Sequence, residues 1–340
     1  MSISSTSEAK SARGVVAAAP DRIGRRSLAW RRYQRELVLV AALVLAGVVF
    51  TVHSDAFLGA RNLTTILRNS VDLAVIAAGM TIVIVLGGID VSVGGILAVA
   101  AICIGRAWHA GWPEPLVVAI GLGVGAALGT LNGVVIAFTR TPPIIATLGA
   151  MYIFIATLFL VIGGTWISGL PNSLSFLVRG AFLGVPAGAW IMVAIYGACW
   201  LMLRRMPWGR HVVAVGCDER AARLAGVRVE RVKIEAYALL GLLAGVAAVL
   251  YVARLRNVEV NIGTNVALEA IAATVLGGAS IRGGVGSLLG ALLGVLFIKV
   301  MQNGLVLAGV SSLWETVVIG SLLLIVLATD SAAQRGGTQT

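Results

Sequence analysis

The glycine-rich string Gly87–Gly95 places a carboxylate, Asp90, and a hydroxyl, Ser92, between two apolar runs. A carboxylate at membrane depth is costly unless it faces water, caps a helix or meets a partner. We therefore expect Asp90 either to cap the helix that follows, which the pattern favours, or to line a polar path beside a broken helix. A related string, Val275–Ser287, repeats the Val-Leu-Gly-Gly of residues 85–88. This repeat hints at an internal duplication, which is common in transporters.

Three amides and an indole form a second set of candidates, because such groups hydrogen-bond to and stack on hydroxylated solutes. Amides also hold membrane helices together, at about 1 kcal/mol each, so solute contact and helix packing both stay open. Lys299 either snorkels or pairs with an acid on another helix. The candidate residues of a translocation path are Asp90, Ser92, Asn132, Gln302, Asn303 and Trp314.

Motifs for nucleotide, metal or hydrolytic chemistry are missing from the sequence. None of its three lysines, Lys10, Lys233 and Lys299, follows a glycine, so there is no Gly-x-x-x-x-Gly-Lys phosphate loop. The His-Glu-x-x-His and Gly-x-Ser-x-Gly strings are absent as well. We therefore assign no catalytic residue, metal site or cofactor to this chain, and an enzyme embedded in the membrane is not favoured.

The composition is typical of a chain whose surface faces lipid. Of its 340 residues, 59% are hydrophobic and 12% are charged, whereas a soluble domain carries about 25% charged residues. The net charge of +11 could indicate nucleic acid, but the basic residues cluster in two places and the rest of the chain is nearly free of them. This clustering is typical of membrane orientation, so nucleic acid is not an expected partner.

Ten apolar runs are candidate membrane spans, since a spanning helix needs about 20 residues. The predicted fold is all-α, a polytopic membrane protein with about ten transmembrane helices. The third, sixth, eighth and tenth runs are short and are predicted to be broken, tilted or partly inserted. The runs are Leu37–His53, Val71–Ile89, Val91–Ala107, Leu116–Phe138, Ile144–Gly163, Ala189–Leu203, Ile234–Ala253, Ala267–Ile281, Val285–Leu307 and Trp314–Thr329.

The distribution of Lys and Arg orients these spans. With ten spans, most basic residues fall on the side that carries the N-terminus, which predicts that both termini are cytosolic. Residues 1–36 are predicted to be a disordered basic tail and residues 331–340 a short cytosolic tail. Residues 37–330 are predicted to form one transmembrane domain.

The loop 204–233 is the most informative soluble segment and contains a predicted short helix. Asp218 is placed to cap this helix, and Gly226 is placed to end it. Small side chains such as Ala221 and Ala222 would let the helix sit in a groove of another protein, whereas a simple connector needs only a few residues. The predicted docking residues are Asp218, Glu219, Arg220, Ala221, Ala222, Arg223, Leu224 and Gly226.

Six strings, in this order and spacing, resemble the ribose-type permeases of bacterial ABC sugar importers. The resemblance extends from about residue 37 to residue 330, and Arg282 is a departure from it. The segment Gly163–Pro171 is similar to members that handle deoxyhexoses such as rhamnose, or the autoinducer-two signal. The strings are Gly87–Gly95, Asn132–Ala137, Pro142–Gly149, Glu219–Gly226, Ala270–Gly278 and Gly309–Trp314.

The resemblance implies an ABC importer permease fold in the bacterial inner membrane, with a path for a sugar or sugar-like solute that opens by alternating access. It implies a second permease copy, a periplasmic binding protein and cytosolic ATPase subunits that hold ATP and Mg²⁺. It also places the docking helix of that family on residues 218–226. A self-contained transporter driven by H⁺ or Na⁺ is the alternative.

We predict that the purified chain alone neither binds nor hydrolyses ATP, because it lacks a phosphate loop. Equilibrium dialysis with labelled ATP and a phosphate-release assay measure the two properties, with a nucleotide-binding protein of known affinity as the positive control. Retention of nucleotide by the isolated chain at micromolar concentration would contradict the prediction.

Overall fold

A computed structural model describes residues 22–139, 141–163, 166–259 and 261–310, together with residues 314, 317, 320 and 321; side chains are described from residue 36 onward. Helices dominate, and the two strands have two residues each, which confirms the predicted all-α class. The helices are α1 (Arg22–His53), α2 (Ala60–Val85), α3 (Val93–His109), α4 (Glu114–Thr139), α5 (Pro143–Ile162), α6 (Phe176–Arg179), α7 (Ala187–Arg205), α8 (Pro207–Cys217), α9 (Glu219–Leu224), α10 (Val229–Leu255), α11 (Val266–Leu276) and α12 (Leu288–Leu307). The strands β1 (Ala181–Phe182) and β2 (Val185–Pro186) form an antiparallel hairpin.

Seven of the described helices are long and apolar enough to cross a membrane, namely α1 from Glu36 onward, α2, α4, α5, α7, α10 and α12. Two shorter apolar helices, α3 and α11, lie among them. These nine elements coincide with the first nine predicted runs, and the short third and eighth runs are the short helices. Most of the tenth run, Trp314–Thr329, and all of residues 331–340 lie outside the described residues.

Helix α1 begins at Arg22, within the segment predicted to be a disordered tail. A helix that has already formed extends at little cost, because nucleation is its expensive step. The apolar part of α1 can therefore carry the preceding basic residues into the same helix. Residues 1–21 lie outside the described residues.

Helices α2, α3 and α10 form the buried centre of the bundle, and α4 packs against α10 along most of its length. Glycines make this approach possible. A Cβ added at Gly129 of α4 would lie 2.7 Å from the Cα of Gly241, and one added at Gly241 would lie equally close to the Cα of Gly129. The two helices thus meet backbone to backbone, as membrane helices do where small residues line the interface.

Helices α2 and α11 end in the same capping motif. After α2, the N–H of Gly88 donates to the carbonyl of Val83 and that of Gly87 to Ile84, both at 2.9 Å. After α11, Ala279 and Gly278 donate in the same way to Thr274 and Val275, at 3.1 and 2.9 Å. This is the Schellman pattern, which needs a left-handed residue after the helix, and Gly87 and Gly278 supply it with φ of +87° and +90°.

The opposite end of the bundle, where α2 begins and α10 ends, is fixed by arginines. Arg254 of α10 donates to Asp72 at 2.6 Å and to Asn69 at 2.7 Å, both on α2. The segment between α5 and α7 joins this end through backbone hydrogen bonds of 3.1 and 2.8 Å between Ile167 and Val258. These contacts fix the loops of this end on the helices beneath them.

Candidate functional site

Three of the predicted path residues form one buried hydrogen-bond network at the break between α2 and α3. The Oδ1 atom of Asp90 accepts hydrogen bonds from the backbone N–H and the hydroxyl of Ser92, at 2.8 and 2.6 Å. Asn132 of α4 donates to the hydroxyl oxygen of Ser92 at 2.7 Å and to Oδ2 of Asp90 at 3.3 Å. The network therefore ties the break to α4.

The prediction that Asp90 caps α3 is corrected by the structure. The N-cap of α3 is Ser92, and Asp90 lies two residues before it and binds its N–H and O–H. Asp90 and Ser92 have no exposed surface in this conformation. A carboxylate that is fully buried and bonded in this way favours the packing interpretation, because its oxygens are turned toward the protein.

A further residue that holds this break, Thr147 of α5, was missed by the sequence analysis. Its hydroxyl oxygen accepts a hydrogen bond from the N–H of Val91 at 3.2 Å, while the hydroxyl donates to the carbonyl of Pro143 at 3.0 Å. The motif Pro142–Gly149 contains Thr147, but nothing in its spacing indicates contact with a residue 56 positions earlier. The break is thus held by α4 and α5 together.

Gln302 and Asn303 lie apart from this network, on α12. Gln302 donates to Oε1 of Glu269 on α11 at 3.1 Å, and Lys299 donates to Oε2 of the same carboxylate at 2.9 Å. Asn303 exchanges two amide hydrogen bonds of 2.8 and 3.0 Å with Asn62 of α2. The spacing of residues 299, 302 and 303 places them on one face of a helix. This spacing is a sequence signal from which their common cluster could have been predicted.

This polar face of α12 is mostly buried but not sealed. The side chains of Lys299 and Glu269 keep 16% and 11% of their surface exposed. Because an ion pair at the middle of a spanning helix is costly against lipid, we expect the exposed remainder to face water or another protein surface. Trp314, the last predicted path residue, is 59% exposed, unlike the members of both clusters.

The predicted helix in the loop 204–233 is present as α9, and its predicted cap is confirmed. Oδ1 of Asp218 accepts hydrogen bonds from the N–H groups of Arg220 and Ala221, at 2.8 and 3.0 Å. Helix α9 ends at Leu224, and Gly226 follows with φ of +85°. Both terminal signals read from the sequence therefore act as expected.

Ion pairs fix α9 on the start of α10. Glu219 accepts hydrogen bonds from Lys233 at 2.8 Å and from Arg223 at 3.2 Å, and Arg223 also pairs with Glu230. Partial burial acts to raise the pKa of Glu219, but the hydrogen bonds and charges of Lys233 and Arg223 outweigh it and hold the pKa below its usual value. The stabilisation from Glu219 is therefore complete above its ordinary pKa and is lost as the pH falls through the lowered one.

The two alanines of α9 do not share one environment. Ala221 is exposed, whereas Ala222 is buried against the core of this chain with 5% of its surface exposed. The expectation that both alanines enter a groove of a partner is corrected for Ala222, because successive residues of a helix point about 100° apart. The most prominent apolar side chain of α9 is Leu224, which is 90% exposed.

In the described part of the chain, seven long apolar helices with two short ones beside buried polar groups are typical of a multi-pass membrane protein. The family model described as "Branched-chain amino acid transport system / permease component" matches residues 62–327. Since the match covers well over half of the chain, the chain belongs to this family.

Curated relatives agree with this assignment. The ribose import permease protein of Bacillus subtilis is 38% identical over 290 residues, which cover 85% of this chain and 90% of that protein. The autoinducer 2 import system permease protein of Klebsiella pneumoniae is 38% identical over 87% of this chain and 86% of its own length. The fructose import permease protein of Rhizobium meliloti is 37% identical over 86% and 83%. The resemblance drawn from the motifs is confirmed; no solved structure matches the chain.

We predict that Asp90→Ala lowers the melting temperature and leaves the preference among sugars unchanged. Removal of the carboxylate leaves buried donors of Ser92 and Asn132 without an acceptor, at a cost of about 1–3 kcal/mol. Thermal unfolding followed by tryptophan fluorescence and competition between labelled sugars measure the two effects, with Asp90→Asn as the conservative control. A changed preference with unaltered melting would place Asp90 on the path.

We also predict strong coupling between Lys299 and Glu269. Lys299→Met leaves a partly buried carboxylate unpaired and should cost about 3–5 kcal/mol, whereas the further change Glu269→Gln should recover most of this loss. A double-mutant cycle on unfolding free energies in mixed micelles gives the coupling energy. Additive effects of the two changes would show that the pair contributes nothing.

Proposed function

We propose that this chain is the membrane permease subunit of a bacterial ABC importer and forms the path for a neutral sugar or sugar-like solute. The observation that carries the proposal is the set of import permeases for ribose, fructose and autoinducer 2, whose sequences align with nearly the whole chain. The polar groups of the bundle agree with such a solute. The cluster on α12 offers amides and a compensated ion pair, which suit hydroxyl groups better than a charged solute.

The path is proposed to run along the polar face of α12, where Lys299, Gln302 and Asn303 meet α11 and α2. A second copy of the permease would cover the remaining exposed surface of this face and keep its charges away from lipid. Alternate opening toward each side would then expose the face to the solute. The network around Asp90 would hold the neighbouring break rather than contact the solute.

The ends of the bundle are assigned from charge. The end that carries α8 and α9 holds the loop 204–233, which is rich in arginine, and is proposed to be cytosolic together with both termini. ATPase subunits with their ATP and Mg²⁺ would bind there, and a periplasmic binding protein would deliver the solute to the opposite end. The membrane is then the bacterial inner membrane.

The contact with the ATPase is proposed to centre on the outer face of α9. Leu224 presents nearly its whole side chain to solvent, and Ala221 beside it is small enough to allow close approach. An exposed apolar side chain with charged groups around it matches the apolar core and polar rim of a protein interface. The ion pairs of Glu219 hold this face in place before the partner arrives.

We predict that Leu224→Asp lowers ATP-driven uptake and capture of the ATPase by about tenfold or more, because the loss of a central apolar anchor costs about 2 kcal/mol. Leu224→Met keeps an apolar side chain and is the matched control. Uptake is measured in proteoliposomes that contain the assembled importer, with ribose, fructose and rhamnose as probes.

Two results would count against this function. Wild-type uptake that survives ATP depletion and stops when the proton gradient is collapsed would favour a self-contained secondary transporter. Full uptake and full ATPase capture by Leu224→Asp would remove α9 from the docking contact.

A further inference from the structure

Three segments of the chain meet through their backbones at the end of the bundle that carries α9. The carbonyl of Val85, the last residue of α2, accepts a hydrogen bond from the N–H of Gly284 at 2.8 Å. Gly216 near the end of α8 packs on the same carbonyl so closely that an added Cβ would overlap the oxygen. A Cβ at Gly283 would lie 2.6 Å from the carbonyl oxygen of Gly216 and 2.9 Å from the Cα of Gly87. We call this contact among residues 85–87, 216 and 283–284 the glycine junction.

At Gly216 and Gly283 the contacts of the glycine junction are between backbone atoms, and the sulfur of Cys217 lies beside Gly284. Side chains at such a contact could change rotamer and absorb a small displacement, whereas packed backbone cannot. A shift of one segment must therefore displace the other two or open a gap between them. This makes the junction a stiff connection although each of its segments lies next to a helix end.

Helix α9 is joined to the junction by a very short link. Only Cys217 and Asp218 separate Gly216 from the first residue of α9. Asp218 is the C-cap of α8 and also the N-cap of α9, where its carboxylate binds two N–H groups. The inner face of α8 is anchored by the buried side chains of Val212 and Val215. A displacement of α9 is therefore transmitted to Gly216 through a short and anchored connection.

The other two segments of the junction border the two helix breaks. Residues 85–87 lead into the break before α3, which holds the Asp90 network, and Gly283 and Gly284 lie in the break between α11 and α12. Helix α12 carries the polar face that Lys299 and Gln302 form with Glu269. The glycine junction thus connects the docking helix to both broken regions of the bundle.

We propose that the glycine junction transmits the movement of α9 to the two helix breaks, so that Gly216, Gly283 and Gly284 are positioning residues for energy coupling. The proposal rests on the proposed function, since it requires an ATPase partner at α9. When that partner moves α9, Gly216 displaces the carbonyl of Val85 and the turn at residues 283–284 together. The breaks before α3 and before α12 then change their conformation together.

The test compares two glycines in helices. Gly216→Ala places a methyl group in the junction, whereas Gly197→Ala in α7 is the matched control, because a Cβ there meets nothing within 4 Å. Both glycines lack positive φ, so alanine is compatible with either backbone. The importer with its ATPase and binding protein is reconstituted, and sugar uptake, ATP hydrolysis and thermal melting are measured on the same preparation.

We expect Gly216→Ala to melt at a lower temperature than Gly197→Ala, because the added methyl group forces the segments of the junction apart. We also expect the folded Gly216→Ala protein to transport about tenfold less sugar per ATP hydrolysed, on the scale of a coupling free energy. A merely structural role would lower melting and reduce transport and hydrolysis in proportion, which leaves their ratio unchanged. An unchanged ratio of transport to hydrolysis in Gly216→Ala would overturn the proposal. Wild-type uptake that needs no ATP would overturn the proposed function itself, a different result.

A disulfide provides a second measurement if Gly216→Ala does not fold. A Cβ at Gly284 would lie 2.7 Å from the sulfur of Cys217, so Gly284→Cys should form a bond with Cys217 on oxidation. Because Gly284 has φ of +77°, the cysteine strains the backbone in both redox forms, and the comparison is made only between the oxidised and the reduced form of this variant. Segments that move as one unit tolerate this bond, so uptake by the oxidised and the reduced protein should agree within about twofold. Loss of uptake on oxidation, restored by reductant, would show that the segments slide past one another and would overturn the proposal.

Discussion

The backbone contact between α4 and α10 is the constraint on which the rest of the bundle depends. Gly125 and Gly129 of α4 lie against Gly241 of α10 without room for a single methyl group. The next glycine along α4, Gly133, packs on Ile234 in the same way. Asn132 is adjacent to Gly133, so the close approach of the two helices also fixes the depth at which this amide meets Asp90. A larger side chain at any of these glycines would move α4 outward and separate the amide from the carboxylate.

The membrane explains why the polar groups occur in closed sets. A buried carboxylate without partners is far more costly than a buried apolar side chain. For Asp90, hydrogen bonds from its own turn and from α4 offset this cost. For Glu269, a cation and an amide of α12 offset it. The first set is sealed and suits a fixed support. The second keeps some exposed surface.

The parts of this structure that could be predicted from the sequence depend on local signals. The apolar runs predicted the long helices, and Asp218 and Gly226 predicted the two ends of α9. Both predictions succeed because caps and spans involve residues close together in the chain. The partners of Glu269 and Thr147 depend on which helices become neighbours, and no local pattern contains that information. The inward direction of Ala222 depends likewise on the packing of α9 against α10. The roles of the path and docking residues stay predictions.

The repeated Val-Leu-Gly-Gly string lies at the ends of α2 and α11, but in two different registers. Aligned on these letters, Val85 corresponds to Val275, yet α2 ends at Val85 and α11 ends one residue later, at Leu276. The left-handed glycines, Gly87 and Gly278, are correspondingly the first and the second glycine of the string. The two helix ends thus differ by one residue in register and share their chemistry, an apolar last turn followed by a left-handed glycine. In both places this chemistry ends a helix sharply beside a break, so the likeness has a structural reason at each site whether or not the two strings have a common origin.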